Sequence, residues 1–167
     1  KISFPREVRP LAAVAYPAVN LAIGVVLLVL LHLALGGAAS LTWFGLLPIL
    51  GIQLLLLAGL GLLCSAGQVH YHDVGFLVEV LLLFGFYASP VFYPLEFVLE
   101  NPQVPAWVQQ VYLLNPMAGI LAAHRAVLLE HTFPLALLLW PLLCACVSFA
   151  LGVWLFRRLA PTFSDRL

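Results

Sequence analysis

Apolar residues run along this chain in long blocks, separated by short clusters of glycine, proline and charge. A helix needs about 20 consecutive apolar residues, rising 1.5 Å each, to cross the ~30 Å hydrocarbon core of a bilayer. Four blocks reach that length: residues 11–35, residues 41–66 after the turn GGAAS, residues 74–94, and residues 133–156. A fifth block, 106–129, is long enough but interrupted. Within it the run YLLNPMAG places Asn115 where a helix is N-capped and Pro116 at the first helical position, so a new helix starts there. Another starts near Pro105 and reads AWVQQVYLL. Each would be roughly 15–20 Å long, too short to cross.

Ahead of these two helices lies ASPVFYPLEFVLENPQVPAW, with Pro90, Pro94, Pro102 and Pro105. Proline breaks a helix interior and removes a backbone donor. Polar backbone freed in this way costs several kcal/mol per group in lipid, so it survives only inside protein or against a wet cavity. Residues 95–130 are therefore read as a re-entrant helical hairpin dipping in from one face; an interfacial loop with a surface helix is the other reading of the same periodicity. The predicted fold is all-α: a polytopic membrane protein with four transmembrane helices plus an extracytoplasmic re-entrant helical hairpin.

Composition agrees. The chain is 64% hydrophobic and 8% charged, against about 25% charged in a soluble domain, so lipid must be part of its solvent. Zero net charge removes the electrostatic case for nucleic acid. The cysteines, Cys64, Cys144 and Cys146, are odd in number and lie in apolar runs, which argues against a disulfide framework or a zinc site. Short cytoplasmic segments collect Lys and Arg. With four spans both ends share one side, and Lys1, Arg6, Arg9, Arg157, Arg158 and Arg166 fall together there. Residues 1–10 and 157–167 are thereby expected in the cytoplasm, with Glu96, Glu100 and Glu130 opposite.

Candidate chemistry is sparse. His70, His72 and Asp73 in HYHD are metal-ligand types, and are the best support for a membrane transferase or phosphatase. Three ligands without a fourth, and no second acid–base cluster, favour a plain turn in which Asp73 caps the next helix. Glu79 lies inside the third block, where a carboxylate is either functional or close enough to the face to snorkel. Asn20 and Gln53 should face other helices, Ala58, Gly59, Gly61 and Ser65 suggest close helix packing, and His32 should snorkel. Phe84, Phe86, Tyr87, Phe92, Tyr93, Trp107 and Tyr112 gather toward the outer interface, as a belt or as faces for sugars. No Gly-rich Lys-Ser/Thr phosphate loop is present, so ATP cannot be bound that way. No metal, cofactor or catalytic residue is assigned.

Four segments in order resemble one family: KISFPREVRPLAAV, CSAGQVHYHDVGFLVEV, ASPVFYPLE with YLLNPMAGI, and FRRLAPTFSDRL. The chain resembles the transmembrane permease subunit of type-2 ABC exporters, of the polysaccharide kind that exports O-antigen, teichoic acid or capsule. The resemblance implies a bacterial inner-membrane protein, N-terminally truncated to spans three to six of six. It implies a second permease copy and an ATP-binding cassette ATPase as partners, and a lipid-linked glycan or polyol phosphate as cargo; a drug or small-molecule exporter is the neighbouring reading. By the same resemblance Phe4, Pro5, Arg6 and Glu7, with His72 and Asp73, lie near the ATPase docking surface. The family usually has Arg where His72 stands. Tyr87, Pro90, Tyr93, Pro94, Asn115, Pro116 and Arg125 fall in the outer signature, as substrate path or gate. Arg125, beside His124, is read either as a contact to the lipid carrier's pyrophosphate or sugar, or as the partner of Glu130 or Glu100.

Overall fold

The computed structural model describes residues 8–70 and 73–159, and the side chains of 14–68 and 73–159. Phe4, Pro5, Arg6, Glu7 and His72 lie outside the described residues.

Among the described residues seven helices follow one another: α1 (Val8–Ala34), α2 (Leu46–His70), α3 (Val74–Tyr87), α4 (Glu96–Leu99), α5 (Ala106–Leu114), α6 (Pro116–Leu129) and α7 (Leu135–Leu159). A 3₁₀ turn, Leu41–Gly45, leads into α2, and Ser40 caps it by accepting from the amide of Thr42. No strand occurs among the described residues. α1, α2 and α7, at about 40 Å, 37 Å and 37 Å, are long enough to cross a bilayer, and they carry the three windows apolar enough to do so. Their outer faces present a continuous apolar surface, from Val26, Leu27 and Leu28 on α1 to Leu139, Leu143 and Leu151 on α7. Such a surface is stable only in lipid or against another helix.

α2 and α7 form the centre. Leu46 and Ile49 of α2 share a core with Leu138 of α7, while Leu62 and Ala66 share one with Phe156. The two helices therefore run parallel, and α1, joined to α2 by a short turn, runs against them. Small residues let their backbones approach. A Cβ on Gly59 would lie 2.5 Å from the amide nitrogen of Phe149, and one on Gly152 would lie 2.8 Å from the carbonyl of Gly59. Gly61 is different: its nearest neighbour would be Val14 Cγ2 of α1, at 3.8 Å. Gln53 is half-buried as expected, with Oε1 unpartnered. Asn20 is not covered by another helix of the described residues: it lies on the exposed side of α1.

α3 departs from the expected span over 74–94. Its helix ends at Tyr87, after 14 residues, or about 21 Å. Ser89 and Pro90 end it, because proline cannot donate to the preceding turn and pushes the residue before it out of helical backbone. None of its residues is buried, and Glu79 on it is exposed. Asp73 occupies the N-cap position but makes no capping bond. Its backbone, φ −83° and ψ −5°, is helical already, whereas an N-cap side chain needs extended backbone to reach the second or third amide.

Candidate functional site at the proline-rich break

α5 and α6 follow the predicted boundaries: Pro105 precedes the first, and Asn115 and Pro116 open the second. Their axes differ by 82° across the single residue Asn115. α6 is the sheltered one. Ala118, Ile120, Ala122, Ala123, Ala126, Val127 and Leu128 are buried along it, while α5 buries none. Pro141 explains part of the fit. It has no N–H to give the carbonyl of Leu137 one turn earlier, and Gly119 sits against that oxygen so closely that a Cβ would lie 2.7 Å away.

Asn115 joins the elbow to the end of α3. Its Oδ1 accepts from the amide of Met117 at 3.0 Å, which caps α6. Its Nδ2 donates to the carbonyl of Ala88 at 3.1 Å and to Ser89 Oγ at 2.9 Å. Ser89, buried, donates in turn to the carbonyl of Gly85 at 2.7 Å. Both ends of one amide are used: Oδ1 caps α6 while Nδ2 ties it to the end of α3.

Arg125, nearly three turns further along α6, holds the rest of the loop. One guanidinium nitrogen donates to the carbonyl of Val91 at 2.9 Å and the other to the carbonyl of Tyr93. These are its partners, in place of the expected Glu130 or Glu100. The reason lies in the prolines: each removes a backbone donor from the loop, the carbonyls of Val91 and Tyr93 are left without a backbone amide, and a planar fork can serve two at once. Tyr93 completes the attachment through a 2.8 Å hydroxyl–hydroxyl bond to Tyr112 of α5. Leu95, buried, packs on Ala118 and Ala122 of α6. Trp140 of α7 donates from Nε1 to the carbonyl of Leu114 at 2.9 Å, fixing the end of α5.

The structure thus brings together Pro90, Tyr93, Asn115, Pro116 and Arg125. Pro90 is fully buried. Pro94 instead faces outward, lining with Glu96, Phe97, Glu100 and Asn101 an open hollow of about 400 Å³. Tyr87 is exposed and stays apart, its ring edge-on to Phe86. His124, beside Arg125, turns its Nδ1 onto the carbonyl of Ile120 at 2.9 Å. The sequence does not mark Ser89, and it offers Tyr112 only as one of the outer aromatic rings, without its bond to Tyr93. A serine directly before the first proline, where donors run out, was the available hint for the former. Among the described residues no group of three His, Cys, Asp or Glu is placed to hold a metal ion.

The model of the ABC-2 type transporter family matches residues 2–129. Over 136 residues the chain is 30% identical to an O-antigen export system permease protein RfbA of Myxococcus xanthus, covering 80% of this chain and 50% of that protein. Over 168 residues it is 21% identical to an O-antigen export system permease protein RfbA of Klebsiella pneumoniae, covering 100% of this chain and 62% of that protein. The chain thus spans about half to three-fifths of the length of these curated relatives. No solved structure matches it.

Proposed function

Because the chain belongs to the ABC-2 type transporter family, we propose that it forms the membrane path of an exporter moving lipid-linked polysaccharide or polyol phosphate out across a bacterial inner membrane. The observation that carries the reading is the break at 88–116, stapled by Asn115 and Arg125 onto a sheltered α6. A purely structural bundle has no need of broken backbone at membrane depth. A path for a polar headgroup does, because its wall must offer polar groups and must move.

Contacts support the re-entrant geometry. α2 ends at the same end of the bundle as α7, and α7 begins beside the start of α2, where Phe133 lies against Gly45. Residues 74–134 therefore make one net crossing. In this reading α3 makes it, α5 comes back in as far as Asn115, and α6 returns outward to Thr42, whose hydroxyl donates to the carbonyl of Val127. The ends of the chain then face the cytoplasm. Arg158, stacked over Trp154 at 5.3 Å, anchors that end of α7 at the interface.

The ATP-binding cassette ATPase docks on this cytoplasmic end, through Phe4, Pro5, Arg6 and Glu7 and the turn holding His72 and Asp73. A second permease copy completes the path. Tyr87, Pro90, Tyr93, Pro94, Asn115, Pro116 and Arg125 shape its outer mouth, with Arg125 acting on the loop that forms it.

The test is deletion of the native gene followed by measurement of surface glycan. Lipid-linked glycan accumulating inside the cell, with export restored by the full-length permease and its ATPase, supports the reading. Undisturbed glycan alongside new sensitivity to small toxic compounds would shift the cargo to small molecules. Substituting Phe4 and Arg6 should leave ATP hydrolysis running without export; retained coupling argues against docking there.

A further inference from the structure

The proline-rich break leaves its acids uncovered. Glu96 opens α4 and Glu100 follows its last residue, and both are exposed. Four residues apart, they share one side of that turn. With Pro94, Phe97 and Asn101 they line the open hollow of about 400 Å³. Glu130, at the end of α6, is exposed as well. Between Leu35 and Pro134 the chain has one arginine and no lysine. That arginine is Arg125, and its guanidinium is committed to the carbonyls of Val91 and Tyr93. The histidines of these segments turn inward: Nε2 of His32, Nε2 of His124 and Nδ1 of His131 are buried. His32 therefore does not snorkel as expected; its ring stands edge-on to Trp43 and to His131, with Gly37 packed against it. In the reading above these segments lie on the outer side. Among the described residues there, every exposed charge is negative.

A carboxylate only accepts hydrogen bonds. A sugar offers hydroxyl donors to such acceptors, and an apolar C–H face to a ring such as Phe97, which is 65% exposed. A polyol phosphate offers a phosphodiester at each repeat, which also only accepts and carries a fixed negative charge. Two like unit charges about 4 Å apart in water lower affinity roughly fivefold. A polymer charged at every repeat meets that repulsion again with each unit that passes. We infer that Glu96 and Glu100 select the cargo at the outer mouth, admitting glycans of neutral or amino sugars and rejecting polyol phosphates and other polyanions. The inference rests on the export reading above and narrows its cargo. Arg125 cannot offset the acids, because freeing it for a phosphate would release the loop that it holds.

The experiment uses the full-length permease with its ATPase in nanodiscs. Two synthetic probes share one polyprenyl diphosphate anchor: a mannose oligomer and a glycerol phosphate oligomer of equal length. The bare anchor gives the baseline. At low salt the mannose oligomer is expected to bind at least ~5-fold more tightly than the glycerol phosphate oligomer. Glu96→Gln combined with Glu100→Gln keeps size and an acceptor oxygen at each position and should shrink that ratio severalfold. High salt should shrink it in the native protein, since exposed charges are screened. Equal binding of the two oligomers by the native protein overturns the inference, and so does a ratio that the double substitution leaves unchanged. If neither oligomer binds more tightly than the bare anchor, the export reading itself fails, and this inference fails with it.

Discussion

Arg125 closes two carbonyls that no backbone amide reaches, and this fixes what its replacement should do. Hydrogen bonds from a charged donor contribute ~1.5–3 kcal/mol each. Arg125→Gln and Arg125→Lys should both lower stability by at least ~1.5 kcal/mol, read from thermal unfolding of the full-length protein, because neither side chain spans two acceptors as a fork does. If Lys were as stable as Arg, one charge would suffice and the two-carbonyl account would be wrong. Asn115 separates two roles in one residue. Asn115→Ser keeps a capping oxygen but cannot reach Ala88, whereas Asn115→Ala loses both. The difference between the two variants should be ~1 kcal/mol, the usual worth of a cap. The further difference between Ser and the native residue measures the tie to α3. The cap was legible in the sequence, since Asn-Pro announces it locally. The ties to Ala88, Val91 and Tyr93 were not, because they join positions 27 to 34 residues apart and nothing in the intervening pattern marks them.

Helices show the same division between local and distant causes. Lengths of α1, α2 and α7 follow from uninterrupted apolar runs, and α5 and α6 from the prolines that open them. α3 ends at Tyr87, seven residues before the predicted stop at Pro94, because Ser89 and Pro90 already break the helix. The glycine pattern on α2 signalled close packing without saying which glycine carries it. The structure separates them. Gly59→Ala and Gly152→Ala each press a methyl into backbone of the facing helix and should cost ~1–3 kcal/mol. Gly61→Ala meets only Val14 at ordinary contact distance and should be neutral or slightly stabilising, by up to ~1 kcal/mol from helix propensity. Equal losses at all three positions would show that the parallel α2–α7 seam is not where the tight contact lies.

At the scale of the whole molecule, connectivity and charge can be set against each other. Parallel α2 and α7 require an odd number of crossings between them. Either α3 makes that crossing and α5–α6 turn back, or α3 stops short and the bent α5–α6 pair makes it. The two cases differ at one accessible point, the segment between α4 and α5. If α3 crosses, Gln103 lies on the same side as Ala38 in the first turn and opposite Leu167; if α5–α6 cross, Gln103 joins Leu167. The carbonyl of Ala88 at the elbow, the buried face of α6 and the exposure of α5 all favour the first. Single cysteines at Ala38, Gln103 and Leu167, in full-length protein with Cys64, Cys144 and Cys146 replaced by serine, should label with a membrane-impermeant thiol reagent in intact spheroplasts at the first two positions only. Labelling at Gln103 that appears only after lysis would move the crossing to α5–α6. It would make the elbow a mid-membrane kink, and would place the two carboxylates Glu96 and Glu100 at the side where α2 and α7 end.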